Sequence, residues 1–447
     1  MKLQSRNLAT PSSWMHRLRK PRDPIERFLR TDFIRHGALV FAAMTLVNLF
    51  NYVFHFLLSR RLGVSEYGAL ASLMAALVIA SVPSGMLTLI VVKYTAEFKA
   101  VGDQARLRTL SDKLIVFCSV LAIGAATLGY LLRHQVGLYL KISNSTAIII
   151  VSLILGLNLM VPAVRGILQG LQDFKAYAIS TIIEAVGKAA LGVTFVYMGL
   201  GLTGAVLGYV LASTLSLIYT VGASRANLGV QTAPLFLDLR RLLKTSGGVF
   251  FYTAGITSLG FLDLLLVKHY FVPHNAGIYS AISLIGKILL FVVGFVPTVV
   301  LPKATALATG GKNPISMLIQ AGIAMAVISI SGLAVLWVFP VPIVAAVVGR
   351  AFVAAAPYLF SYGCAMTLLA ITTLVATYKI ALHRFDFVLP IVVVPILEIV
   401  GIAYQHHSLF EVIRVLLVGH TAALIGTLYR INADVPLSIA TPAAELP

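Results

Sequence analysis

Residues 189–223 read AALGVTFVYMGLGLTGAVLGYVLASTLSLIYTVGA, a stretch without a single charge. A helix crosses a hydrocarbon core of about 30 Å with roughly 20 apolar residues, so with the apolar residues before it this run is long enough to cross twice. Its middle holds Gly199-Leu200-Gly201-Leu202, a joint so short that it forces antiparallel neighbours. The stretch reads as a helical hairpin within a membrane.

Outward from this hairpin the chain keeps the same character. Of its 447 residues 59% are hydrophobic and 11% charged, and the mean hydropathy is +0.94, far from the soluble norm. The long runs are apolar on all sides, whereas a soluble helix keeps a polar face. The composition predicts an all-α integral membrane protein. Spans fall at about 37–58, 68–92, 114–132, 146–169, 174–199, 202–223, 246–271, 276–301, 315–339, 351–378, 387–404 and 409–429, twelve in all.

The basic residues orient these spans. With the N-terminus in the cytoplasm, twenty-five of the 34 Lys and Arg residues fall on the cytoplasmic side, including Arg165 and Lys175 in the fourth-to-fifth joint. Six fall opposite: Arg60, Arg61, Arg133, Lys141, Lys268 and Arg350. The bias obeys the positive-inside rule with both termini cytoplasmic, and an odd span count would scramble it. The net charge of +18 is therefore topological. No soluble stretch could form a nucleic-acid reading domain.

Residues 1–36 hold nine basic residues and no h-region, so no cleavable signal peptide is read. Ile25, Phe28, Leu29, Phe33 and Ile34 share a helical face and suit an interfacial helix. The longest polar interval, 224–245, divides the spans six and six. The expected organisation is a basic segment 1–36, a six-helix bundle 37–223, a cytoplasmic linker 224–245, a second bundle 246–430 and a cytoplasmic tail 431–447. Cys118 and Cys364 lie inside spans and read as small buried hydrophobes.

The halves open alike. Leu57-Leu58-Ser59-Arg60-Arg61 precedes Gly68 by six residues, and Leu266-Val267-Lys268-His269-Tyr270 precedes Gly277 by six. The second helix of each half also carries a breaking pair, Pro83 with Gly85 and Gly294 with Pro297, so both are expected to bend. Six spans per half preserve orientation, which is the parallel-repeat transporter plan with a site between the halves.

Three stretches carry a family likeness. Arg61-Leu62-Gly63-Val64-Ser65-Glu66-Tyr67-Gly68 resembles the signature after the first helix of bacterial oligosaccharide-lipid flippases, members of the multidrug/oligosaccharidyl-lipid/polysaccharide exporter superfamily. Arg165-Gly166-Ile167-Leu168-Gln169-Gly170-Leu171-Gln172 is similar to their fourth-to-fifth loop, and Ala276-Gly277-Ile278-Tyr279-Ser280-Ala281 to the start of their eighth helix. The resemblance implies two six-helix bundles forming a V around a central cavity. It also implies an undecaprenyl-diphosphate-linked sugar chain as cargo, moved from the inner to the outer leaflet of the bacterial cytoplasmic membrane.

Charges inside the spans are the candidate functional residues, because each costs about 2.5–3.5 kcal/mol at the bilayer centre. Lys188 and Lys287 are candidate cavity cations for the diphosphate. Lys287 has a second reading, a buried ion pair with Asp263. Glu184 and Lys188 are spaced i, i+4 and could pair within their helix; otherwise Glu184, like Asp263, is a candidate ion-coupling carboxyl. Arg414 reads as paired with Glu411. Arg165, Glu398 and Arg414 are assigned structural or secondary roles.

No nucleophile–base arrangement, Walker loop or metal spacing is present, so the chain reads as a transporter with no cofactor. The leading function is a flippase for lipid-linked oligosaccharide in O-antigen, capsule or exopolysaccharide assembly, driven by H+ or Na+. Its expected partners are that lipid, the bilayer and glycosyltransferase or polymerase proteins. A multidrug or cation exporter, and a membrane subunit of a polysaccharide synthase, are the alternatives.

Overall fold

The computed structural model describes residues 24–226, 228–234, 239–309 and 313–431, and among these there are helices and no strands. The first half comprises α1 (Pro24–Ala80), α2 (Val82–Ala100), α3 (Gln104–Leu131), the short α4 (Arg133–Tyr139), α5 (Ser145–Gly170), α6 (Phe174–Phe195) and α7 (Gly201–Ala226). The second comprises α8 (Leu239–Tyr270), α9 (Pro273–Val293), α10 (Phe295–Thr309), α11 (Ile315–Val338), the short α12 (Pro340–Val347), α13 (Leu359–Ala381), α14 (Val388–Tyr404) and α15 (Leu409–Leu428). The expected segments 1–36 and 431–447 lie largely outside the described residues, as does part of the 224–245 linker. The helix of α1 is already formed at Pro24.

Nine helical stretches among the described residues are long and apolar enough to cross a membrane, and Val388–Tyr404 is a shorter apolar helix. Their outer faces are apolar too. On α3, Val116, Val120 and Ile123 lie exposed along one side, and on α11 Ile323, Val327 and Ile330 do the same. Surfaces of that extent are rare on soluble monomers and match the hydrocarbon of a bilayer. The chain is a multi-pass membrane protein.

Two of the nine stretches turn back inside. In α1 the helix is interrupted only at Gly63, whose φ of 76° and ψ of 173° suit a residue without a Cβ. The hairpin of residues 189–223 turns through a π-helical stretch, Val196–Leu200, with φ positive at both Gly199 and Gly201. Beyond that turn α6 and α7 approach closely, since a Cβ on Gly208 would meet Gly192 N at 2.2 Å.

The paired helix breaks occur where the sequence placed them. Helix α1 stops at Ala80 and α2 restarts with Pro83 in its first turn. Helix α9 ends at Val293, Gly294 caps it, and α10 begins at Phe295 with Pro297 in its first turn. A proline is tolerated at a helix start because its missing N–H has no partner to lose there.

The halves meet firmly at the Gly63 end. Gly68 and Gly277, the two glycines that the repeat aligns, touch: a Cβ on Gly68 would lie 2.8 Å from Gly277 Cα, and one on Gly277 only 2.0 Å from Val64 O. Around this contact, Arg60 donates to the carbonyls of Val347 (3.0 Å) and Ala346 (2.5 Å) at the end of α12. Lys141 donates to the carbonyls of Tyr270 and Phe271, both at 3.3 Å. The His269 ring stacks on Tyr139, with centroids 4.0 Å apart, and its Nδ1 donates to the Tyr139 carbonyl at 2.8 Å. Cations thus close the last carbonyls of the opposing helices, where the helix dipole is negative.

Candidate functional site

Below the closed end a cavity of about 910 Å³ lies between the halves. Helices α1, α2, α5, α6 and α7 line one side and α8 and α9 the other. It runs from His55, Tyr67 and Ser280 towards Ser84, Arg165 and Val292. Glu184, Lys188 and Lys287 all line it.

The first half holds its charges in a network. Arg165, within α5, pairs with Glu184 Oε2 at 2.6 Å and also donates to Ser180 Oγ at 2.8 Å, Ser180 O at 3.0 Å and Ser216 Oγ at 2.7 Å. Ser213 donates to the other Glu184 oxygen at 3.3 Å. The pairing of Glu184 with Lys188 that their i, i+4 spacing permits is therefore replaced by a pair between helices. The reason is geometric: a planar guanidinium with a fork of donors satisfies a carboxylate and its serine neighbours at once. Arg165 also leaves the loop class in which the charge census put it, for only 12% of its side chain is exposed and it lines the cavity.

Lys188, freed from Glu184, donates to Asn51 Oδ1. Its ammonium also lies 5.2 Å from the centroid of Phe54 and 5.0 Å from that of Tyr209, within cation–π range. Tyr209 is fixed in turn by donating to Asn158 at 3.2 Å.

Lys287 on α9 is held differently. It is 3% exposed, and no described acceptor reaches its Nζ. The ammonium sits over the face of Phe261, 4.3 Å from the centroid. The ion pair with Asp263 is not formed. Both Tyr279 (2.9 Å) and Tyr362 (2.8 Å) donate to Asp263 Oδ2, and its Oδ1 has no hydrogen-bond partner. Two phenols on two different helices take the place that the ion-pair reading gave to the lysine.

The secondary charges separate. Arg414 is exposed, 5.9 Å over Phe410, while Glu411 accepts from the backbone N–H of His407 at 2.9 Å, just ahead of Ser408, which caps α15. The expected Arg414–Glu411 pair is replaced by that bond to the backbone. Glu398 is 2% exposed, with His420 Nε2 at 3.6 Å. Sequence reasoning misses Asn51, His55, Asn158 and Tyr209 as cavity residues; a polar residue amid an apolar span is their only signal.

Counting formal charges along the wall, Arg165, Lys188 and Lys287 outnumber Glu184 by two. A lysine of each half lines the cavity.

No curated protein matches this chain in sequence. Solved structures match its fold over nearly the whole length. An inward-facing multidrug resistance MATE family transporter of the MOP superfamily matches with a TM-score of 0.70 at 12% identity, over 87% of this chain and 95% of that one. The lipid II flippase MurJ in an inward closed conformation gives 0.71 at 13%, over 88% and 87%. The MATE multidrug transporter DinF-BH in complex with R6G gives 0.64 at 14%, over 94% and 98%. At these identities the likeness is one of fold: two helical bundles around a central cavity. The model of the family described as polysaccharide biosynthesis protein matches residues 34–307, more than half of the chain. With that match over more than half of its length, this chain belongs to the polysaccharide biosynthesis protein family, and its fold is the one these solved transporters share.

Proposed function

We propose that the chain moves a polyprenyl-diphosphate-linked oligosaccharide across the bacterial cytoplasmic membrane for surface polysaccharide assembly. The observation that carries this reading is the pair of lysines facing one cavity from opposite halves, with a wall two charges more positive than negative. A diphosphate is a compact dianion of matching sign. A cationic drug would meet repulsion in the same place, which disfavours the exporter alternative. O-antigen, capsule and exopolysaccharide precursors share this diphosphate.

In this reading the twelve spans place both termini and the open end of the cavity in the cytoplasm, and the Gly63 end outside. The conformation described is then inward-facing. The diphosphate binds between Lys188 and Lys287, the sugar occupies the cavity and the lipid tail stays in the bilayer. Rocking of the halves about the Gly68–Gly277 contact exposes the sugar to the other side. An H+ or Na+ gradient drives the cycle, and Asp263, whose Oδ1 has no partner, is better placed than Glu184 to respond to it. Glycosyltransferases and polymerases would supply and consume the cargo.

The test is translocation of a short-chain polyprenyl-diphosphate oligosaccharide in proteoliposomes. The native protein should accelerate it, and a polyprenyl monophosphate sugar should compete poorly. Equal handling of the two lipids would remove the diphosphate from the mechanism.

A further inference from the structure

The first-half wall of the cavity presents hydrogen-bond donors, and the acceptors beside them are already taken. Lys188 has only hydrogens to offer, so Asn51 turns its oxygen to the ammonium. Asn158 turns its own oxygen to the Tyr209 hydroxyl at 3.2 Å. Both side-chain amides line the cavity, and among the described residues nothing accepts from either Nδ2. Glu184, the carboxylate of this wall, is held by Arg165 and Ser213. The Lys188 ammonium lies 5.0 Å from the Tyr209 centroid and so joins the two amides into one run, Asn51–Lys188–Tyr209–Asn158.

Charge and hydrogen-bond chemistry narrow what such a wall recognises. The lining is two charges more positive than negative, and a diphosphate diester carries two negative charges, so the cavity is neutral once the diphosphate is in place. A further carboxylate, as on a uronic acid, would find no cation left to balance it. A neutral acceptor therefore matches the free amide hydrogens. A hydroxyl is a poor one here, because its hydrogen sits on the same oxygen and needs an acceptor beside the same wall. An acetamido group separates the two functions. In a trans amide the C=O and N–H point in opposite directions, so the oxygen can face the donors while the hydrogen faces the open cavity. Its methyl group needs an apolar neighbour. Val161 lies three residues beyond Asn158 on the same face of α5 and lines the cavity, as do Ala71 and Met74 on α1.

We propose that the cavity selects a 2-acetamido sugar attached directly to the diphosphate, with Asn51 and Asn158 donating to the acetamido oxygen and Val161 packing against the methyl group. The C2 substituent neighbours the anomeric carbon that bears the diphosphate, and Asn51 neighbours the lysine that holds it. The group recognised therefore belongs to the first sugar of the chain. This specificity rests on the flippase reading above; the row of free donors stands on its own geometry.

Competition binding to the purified full-length protein tests the assignment, with short-chain polyprenyl-diphosphate lipids bearing N-acetylglucosamine, glucose or glucuronic acid. The first two differ only at C2. The expected result is binding of the acetamido lipid about fivefold tighter than the glucose lipid, the worth of one neutral hydrogen bond, with no gain from the carboxylate of glucuronic acid. Asn51→Asp and Asn158→Asp keep an acceptor for Lys188 and Tyr209 but lose the amide hydrogens, so each should bring the ratio of acetamido to glucose lipid close to one. The added charge weakens both of these lipids alike, which leaves the ratio to report the amide. Equal binding of the two lipids by the native protein overturns the proposal. So does a ratio that neither variant changes, or tightest binding of the glucuronic acid lipid. The same lipids in proteoliposomes separate the site from the transport reading: a protein that prefers the acetamido lipid in binding but translocates none of the three defeats the flippase reading and keeps the site.

Discussion

Lys188 and Lys287 face one cavity from opposite halves, and their surroundings differ. In the first half the charges are compensated: Arg165 and Glu184 pair within a seam of serines, and Lys188 rests on Asn51 and two rings. In the second half Lys287 and Asp263 are kept apart, with phenols holding Asp263 and the Phe261 ring beneath Lys287. An ammonium whose local partners are already satisfied gains less from an incoming anion. One without an acceptor gains a charge-assisted hydrogen bond and neutralisation together. The first half therefore reads as a rigid wall and the second as the half that responds to cargo.

The largest expected effect tests that asymmetry directly. Lys287→Ala should lower translocation by more than about tenfold, the loss of one charge-assisted contact in a dry site, while the protein still inserts and folds. Lys188→Ala should lower it only a few-fold. Equal losses in the two variants would break the comparison.

Next comes the contact on which the halves rock. Gly277→Ala places a methyl group 2.0 Å from Val64 O, and relief requires the halves to part at a cost of about 1–3 kcal/mol. A cysteine at Ser280 in this background should become reactive to a membrane-impermeant reagent from the Gly63 side, while the same cysteine next to native Gly277 stays protected. Arg165→Ala strands Glu184 and should cost roughly 2 kcal/mol in thermal unfolding, less than a fully buried pair because both side chains keep some exposure to the cavity. Adding Glu184→Gln should restore part of that loss, and strict additivity of the two substitutions would deny the pair. The smallest effect belongs to Asp263→Asn, which still accepts from both phenols and should change stability by only about 1 kcal/mol.

Much of the architecture was legible because its causes are local. The hairpin at Gly199–Gly201 and the breaks at Pro83 and Gly294 follow from backbone chemistry confined to a few residues. The apolar runs told of the membrane for the same reason. The identity of each charge's partner was not legible. Glu184 stood four residues from Lys188 in sequence, yet Arg165, nineteen residues away, reaches it across a helix interface. Arg165 sits close to a helix end, so a census of loops counted it as topology. The partners of Asp263 are phenols on two further helices, and a reading built on charge passes over them.

The central claim is that a diphosphate is gripped between the two halves. The most direct measurement is the rate at which a short-chain polyprenyl-diphosphate oligosaccharide crosses proteoliposomes containing the native protein, Lys287→Ala or Lys188→Ala/Lys287→Ala. The account predicts acceleration by the native protein, a severe loss in the single variant and the protein-free rate in the double variant. A double variant as fast as the native protein would contradict it.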